Sequence, residues 1–276
     1  MNAPLQPVRW PAEAIWEALY PRLPGFSVEV RPEIDSTNSE LMRRARAGQA
    51  DPVLLVAERQ TAGRGRMGKV WHGEAGDSLA FSLGLPLAPL DWSGLSLAVG
   101  LSVAESLQPA LPAPGGAPAI GIKWPNDLWV DGARKLCGIL IETASLVGPA
   151  AGADPAARYI VIGVGINVRP RPADGLSTTP AWLQEFDGTL DAPEALHRVA
   201  VPLVHTVLAF AASGFAPLQP RFARRDVLRG RAVTLSDGRH GLCQGVAPDG
   251  ALLVQTTQGL QSITSAEVSV RPAPST

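Results

Sequence analysis

The sequence is poor in the residues that build covalent staples and metal centres. Its two cysteines, Cys137 and Cys243, lie far apart without CxxC partners, which argues against a disulfide scaffold or a zinc site and fits a reducing compartment. The four histidines (His72, His197, His205 and His240) show no HxxxH or HxH spacing, so no metal is assigned to protein side chains. Net charge is −1 from 24 basic and 25 acidic residues, which leaves no global attraction for nucleic acid or a membrane surface. Any charge-driven binding must be local. No apolar run approaches the roughly 18 residues that span a bilayer, and early prolines interrupt the N-terminus, so neither an anchor nor a secretory leader is read. A cytoplasmic protein is the expectation.

What is present supports a folded chain in two parts. Hydrophobic residues make up 46% of 276 positions, enough for a large core, and the length suits one large domain plus a small one. Residues 27–31 read as a strand. Thr37–Glu40 has the T-x-x-E form of a capping box opening a helix over 38–47 that stops at Gly48. Val53–Glu58 is a strand, and 59–77 is a polar, glycine-rich loop long enough to signal function or disorder. In Ser78–Leu85, Leu79, Phe81, Leu83 and Leu85 share one face, with Ser78, Ala80, Ser82 and Gly84 on the other. Helices are predicted at 93–108, 191–212 and 217–225. Strands are predicted at Ile120–Lys123, Leu128–Val130, Leu136–Glu142 and Tyr159–Val168, with a turn at Asp131-Gly132 and an exposed hairpin tip over 144–158. After the basic stretch 221–231 only short strand signals remain (Val227–Leu235, Gly241–Val246, Ala251–Thr256, Leu260–Ile263), which divides the chain into 1–226 and a small β domain, 227–276.

Three segments carry chemistry. Gly63-Arg64-Gly65-Arg66-Met67-Gly68-Lys69 matches G-x-G-x-x-G and the first seven positions of a P-loop. Both motifs need a helix to start at once, and Val70-Trp71-His72-Gly73 does not start one, nor does Val70 supply a metal-binding hydroxyl. The loop instead offers flexible backbone with Arg64, Arg66 and Lys69 to an anion; a solvated loop or a weak RNA-binding segment is the bland alternative. Ile120–Lys123 runs into a Trp124-Pro125-Asn126-Asp127 turn that puts Lys123 at a strand mouth, where a lysine can reach a phosphate or simply be an exposed strand end. In Tyr159–Asn167, Ile160, Ile162, Val164 and Ile166 suit a core, while Gly163, Gly165 and Asn167 share the other face. Two glycines in register form a shelf on which a flat object can lie, or on which a helix packs closely; Gly138 can widen it.

Five blocks in order, Asp35-Ser36-Thr37-Asn38, Gln60–Arg66, Lys123–Asp127, Lys135-Leu136-Cys137-Gly138-Ile139 and Gly163–Asn167, resemble the signature of biotin–protein ligases over residues 27 to 272. The resemblance implies an α+β fold: a mixed sheet with helices like class II aminoacyl-tRNA synthetases, then an SH3-like C-terminal barrel. It implies an enzyme that uses ATP and Mg²⁺ to make biotinyl-5'-AMP and passes the biotin to a lysine of a biotin carboxyl carrier protein. Biotin would be bound by Ser36, Thr37, Asn38, Gln60, Gly63, Arg64, Gly65, Arg66, Lys123, Gly138, Gly163 and Gly165. ATP and the adenylate would be bound by Arg66, Lys69, Trp71, Lys123, Asn167 and Trp182, the last as adenine-stacking candidate, with Arg66 and Lys123 catalytic. Met67 departs from the pattern, many members having arginine there. With about 35 residues ahead of Asp35, a DNA-binding module is not expected; nor is membrane binding, while a homodimer is possible. The rivals are a lipoate or octanoate ligase or transferase on the same fold, and, more remotely, a non-enzymatic RNA-binding module using the RG loop and the 221–231 stretch.

Overall fold

The computed structural model describes residues 8–71, 73–113, 115–146, 156–173, 176, 178–264 and 270–272. Their elements are α1 (Ala12–Leu19), β1 (Ser27–Ile34), α2 (Thr37–Arg46), β2 (Val53–Gln60), β3 (Ser78–Leu87), α3 (Leu95–Leu107), β4 (Ile120–Lys123), β5 (Asp127–Val130), β6 (Arg134–Ser145), β7 (Arg158–Asn167), α4 (Ala192–Ser213), α5 (Gln219–Ala223), β8 (Ala232–Leu235), β9 (His240–Val246), β10 (Leu252–Thr256), β11 (Gly259–Ile263) and β12 (Val270–Pro272). The first seven strands form one mixed sheet in the order β1-β2-β3-β7-β6-β5-β4, parallel at β1–β2 and antiparallel elsewhere. The last five form a second, antiparallel sheet ordered β11-β10-β9-β8-β12.

Side-chain alternation decides which sheet face is filled. Leu79, Phe81, Leu83 and Leu85 of β3, with Ile160, Ile162, Val164 and Ile166 of β7, join α1, α3 and α4 in the main core. α4 is long and apolar enough to cross a membrane, which the reading by apolar runs overlooked; its buried face, from Ala195 to Phe210, instead packs in this core. The opposite face is covered only in part. Leu41, Met42 and Ala45 of α2 pack there on Val53, Leu55, Tyr159 and Val161. Beyond α2 that face carries Gly138, Gly163 and Gly165, and the cleft described below opens over it.

Several boundaries differ from the sequence reading. The N-cap of α2 is Ser36, whose hydroxyl accepts from Ser39 N at 3.4 Å, rather than Thr37. Glu40 does not complete a capping box: its carboxylate is taken by Arg43 and Arg44 on the same helix. The first strand of the second sheet starts at Ala232, not Val227, because residues 225–227 lie along β4 instead, with Ile122 N donating to Arg225 O at 2.6 Å and Val227 N to Ile122 O at 3.1 Å. The 221–231 arginines mostly tie the chain together. Arg221 pairs with Glu105, buried Arg225 donates to the carbonyls of Ile120 and Gln108, and Arg231 donates to Gly132 O at 2.7 Å. The expected 144–158 tip lies largely outside the described residues. The Asp131-Gly132 turn is present, both residues having positive φ (53° and 64°).

Candidate functional site

A cleft of about 610 Å³ opens over the bare part of the sheet, a size suited to a small-molecule substrate. Two cross-strand pairs of β6 and β7 build its floor, Gly138 with Gly165 and Leu140 with Gly163; the next pair on the same face, Glu142 with Val161, lies beyond the cleft lining. Both expected uses of the glycine shelf occur. At Gly163 a helix packs closely, since a Cβ there would overlap Asn38 Oδ1 and stand 2.9 Å from its Cγ. At Gly165 and Gly138 a flat ring lies on the backbone, and it is the protein's own Trp71, 2.7 Å (Cζ2) from a Cβ built at 165 and 3.3 Å (Cζ3) from one at 138. The Trp71 indole N–H is buried without a hydrogen-bond partner among the described residues.

Beside this ring is a neutral polar patch. Ser36, Thr37 and Asn38 are buried at the start of α2. Gln60 Oε1 accepts from Thr37 N at 2.8 Å, and Ser82 Oγ lies 2.7 Å from Thr37 Oγ1 and 2.6 Å from Asn38 Oδ1. The Asn38 amide donates onward to Leu140 O (3.2 Å) and Glu142 Oε2 (3.0 Å). Such a network fixes the patch's donors and acceptors before any ligand arrives.

The rest of the lining is cationic. Among the described residues, seven lining cations, Arg64, Arg66, Lys69, Lys123, Lys135, Arg171 and Arg231, stand against one carboxylate, Asp127. Lys123 is buried, unlike the exposed strand-end alternative, with Nζ 5.2 Å from the Trp129 ring centroid. Burial lowers the pKa of Arg66, the Asp127 carboxylate acting the other way; an arginine so placed is still a cation. Arg171 is shifted down by burial too, with Asp77 opposing, and donates to Asn167 Oδ1 at 3.1 Å.

The arginine loop is a small hairpin. Gly65 N donates to Lys69 O (2.7 Å), Trp71 N to Gly63 O (2.9 Å), and Arg64 bridges Val70. Its tip carries exposed Met67 at φ 55° and Gly68 at φ 71°.

Of the residues expected from sequence, Ser36, Thr37, Asn38, Gln60, Arg64, Gly65, Arg66, Lys69, Trp71, Lys123, Gly138, Gly163, Gly165 and Asn167 line this one cleft. Gly63 does not; it is buried beneath, where a Cβ would overlap Trp71 O. Trp182 is also absent from the lining. Its segment is stitched to β6 through Ala181 N to Lys135 O (2.9 Å), and Thr178, Thr179 and Pro180 reach the cleft instead. Asn167 lines the cleft but is largely committed, its Nδ2 donating to Lys135 O and Ala181 O. The sequence reading missed Asp127 and Lys135, paired at 2.8 Å, as well as Arg171. The first two sat inside recognised blocks. Arg171 lies in an Arg-Pro-Arg-Pro stretch that gives no signal.

A neutral hydrogen-bonding patch joined to a cationic cleft is the site of an enzyme that handles a polar small molecule together with a polyanion. Comparison with known proteins makes this specific. Residues 30–167 match the model of the biotin/lipoate A/B protein ligase family, and 230–271 match that of the biotin protein ligase C-terminal domain. The chain is similar to the bifunctional ligase/repressor BirA of Escherichia coli K12 (35% identity, 91% of this chain and 76% of that one). It is also similar to the biotin–[acetyl-CoA-carboxylase] ligase of Paracoccus denitrificans (31%, 85% and 96%). Among solved structures, the biotin protein ligase of Aquifex aeolicus in complex with biotin and ATP superposes with a TM-score of 0.72 at 27% identity, covering 89% of this chain and 99% of that one. The chain belongs to the biotin/lipoate A/B protein ligase family.

Proposed function

We propose that the protein is an ATP-dependent biotin–protein ligase, activating biotin as biotinyl-5'-AMP and transferring it to a lysine of a biotin carboxyl carrier protein. The observation that carries this reading is the convergence of the five sequence blocks on one cleft that joins neutral and cationic parts. In the polar patch, Ser36, Thr37, Asn38 and Gln60 would hold the ureido ring, whose donors and acceptors suit hydroxyl and amide partners better than a plain acyl chain would. Arg64, Gly65, Gly138, Gly163 and Gly165 would complete the biotin pocket, with Gly63 shaping it from beneath.

Biotin's carboxylate oxygen then attacks the α-phosphorus of ATP, pyrophosphate leaves, and the lysine amine later attacks the mixed anhydride with loss of AMP. The first step needs alignment and charge neutralisation more than a general base, which fits a cleft lined by seven cations. Lys123 and Arg66 would meet the carboxylate–phosphate junction, with Lys69, Trp71 and Asn167 toward the nucleotide. Trp182 stays the adenine-stacking candidate that the resemblance implies, close in sequence to Pro180 of the cleft wall though not itself among the lining residues.

The described residues hold no group of three carboxylate, histidine or cysteine ligands, so Mg²⁺ fits as an ion held mainly by ATP phosphates, with Asp127 as the one carboxylate in reach. It would add to the neutralisation of phosphate charge. In the larger frame we read residues 1–226 as the catalytic domain related to class II synthetases and 227–276 as an SH3-like barrel. We place the enzyme in the cytoplasm, free of DNA and membrane, with a homodimer possible. The test is biotin-dependent ATP–pyrophosphate exchange followed by streptavidin detection of label on a carrier domain. Exchange driven by lipoate or octanoate but not by biotin would reject the assignment.

A further inference from the structure

The hairpin that carries the arginines is anchored by a side chain outside every recognised block. Glu142 follows Gly138 and Leu140 on the same face of β6, so three successive positions on that face hold three different pieces of the site: Trp71, Asn38 and Arg64. Its carboxylate is shared. One oxygen pairs with the Arg64 guanidinium, and the other accepts from Asn38 Nδ2 at 3.0 Å. Arg64 also donates to Ser39 Oγ at 3.3 Å, on α2. From Asn38 the bonds continue through Ser82 and Thr37 to Gln60, which begins the loop that Arg64 belongs to. The chain of bonds closes into a ring: loop, β6, α2, β3, α2 and loop again.

We infer that Glu142 is a positioning residue that couples the polar pocket to the arginine hairpin, fixing the hairpin's stem so that its tip, with Arg66, closes over the activated intermediate. This rests on the ligase reading above. The geometry separates a fixed stem from an exposed tip: the stem is held at Arg64 by a carboxylate and a hydroxyl, while Met67, Gly68 and Lys69 are exposed. Removing the Glu142 charge therefore loosens the lid, not the pocket floor. Because a glutamine keeps an oxygen for Asn38, biotin recognition and lid retention should come apart.

The experiment uses the full chain loaded with labelled biotinyl-adenylate and chased with unlabelled ligand. Glu142→Gln should release the adenylate roughly three- to tenfold faster, the range for a half-exposed charge-assisted pair, while its Kd for biotin stays within about twofold of wild type. Arg64→Ala, which removes a pocket residue as well as the pair, should release it at least as fast, and the double variant no faster than the quicker single one. Glu105→Gln, which loses an ion pair at a distant surface, serves as the reference and should leave release unchanged. Unchanged release from Glu142→Gln, or single effects that multiply in the double variant, would overturn the inference. Should Glu142→Gln fail to fold, Glu142→Asp keeps the charge but withdraws it by one methylene, and the same cycle with Arg64→Ala decides. A wild type that forms no biotinyl-adenylate would instead defeat the ligase reading, so the two failures are distinguishable.

Discussion

Substituting Gly165 with alanine should damage the site far more than the fold. A Cβ at this position would stand 2.7 Å from Cζ2 and 2.8 Å from Nε1 of Trp71. Carbon atoms rest about 3.5–4.0 Å apart, so the indole has to rise by roughly 1 Å. The sheet beneath cannot yield, because β7 is buried between β3 and β6. The hairpin that bears Trp71 can, since its tip is exposed and its stem is short. Stability should therefore fall by only about 1 kcal/mol, a Tm drop of roughly 2–4 °C for a chain of this size. On the proposed mechanism catalysis depends on the same hairpin holding Arg66, and a displacement near 1 Å at a positioned group costs on the order of a hundredfold. Pyrophosphate exchange and thermal melts of three variants test this as a series. Gly165→Ala should lose most, and Gly138→Ala less, its Cβ standing 3.3 Å from Cζ3. Gly188→Ala should lose nothing, as no atom lies within 4 Å. Exchange by Gly165→Ala within threefold of wild type, or a Tm drop beyond about 10 °C, would refute the reasoning.

Four further outcomes are expected. Lys123→Ala should slow adenylate formation by about a hundredfold or more, the usual cost of one preorganised electrostatic contact, as measured by pyrophosphate exchange. Gly163→Ala, by contrast, should destabilise the fold by roughly 2–4 kcal/mol in urea unfolding, because Asn38 must give up its bonds to Ser82 and Glu142. Burial raises the folded-state pKa of Asp226, so the stability tied to its proton is present in acid and lost as pH rises through that pKa; a stability lead of Asp226→Asn that failed to widen with pH would contradict this. Burial also raises the thiol pKa of Cys243 to about 11 and that of Cys137 higher still, so a thiol reagent near pH 8 should leave the native protein unlabelled and modify both cysteines in urea.

The parts legible in sequence were those with a period or a spacing. The alternation in β3 and β7 named the core face and the bare face correctly, because a two-residue repeat leaves only two sides to choose between. The glycine shelf was legible as an absence of side chains, but not its occupants. That Asn38 and Trp71 fill it depends on where α2 and the hairpin fold back, across 125 residues for Asn38 and Gly163. Glu142 gave no signal, since a lone glutamate in an apolar strand reads as a solvated edge. Trp182 rests on the resemblance of the Ala181–Glu185 segment, which is attached beside β6 through Ala181 N to Lys135 O, and its side chain is not among the residues lining the cleft. The late start of β8 was hidden for a related reason. Residues 225–227 have strand character, but they spend it on β4 rather than on the second sheet.

That last pairing bears on how the chain can be cut. Residues 225–227 cover the outer edge of β4, and Trp124 Nε1, two layers of sequence away, donates to Gly250 O at 3.0 Å. A truncation that removed everything after residue 224 would strip the peptide groups of Ile122 of their partners and leave an open strand edge beside Lys123. Open edges recruit other edges, so such a fragment should oligomerise or precipitate rather than survive as a weakened enzyme. A break in the connection between α3 and β4 would fare no better, since it parts β3 from β7 and opens an edge in each half of the sheet.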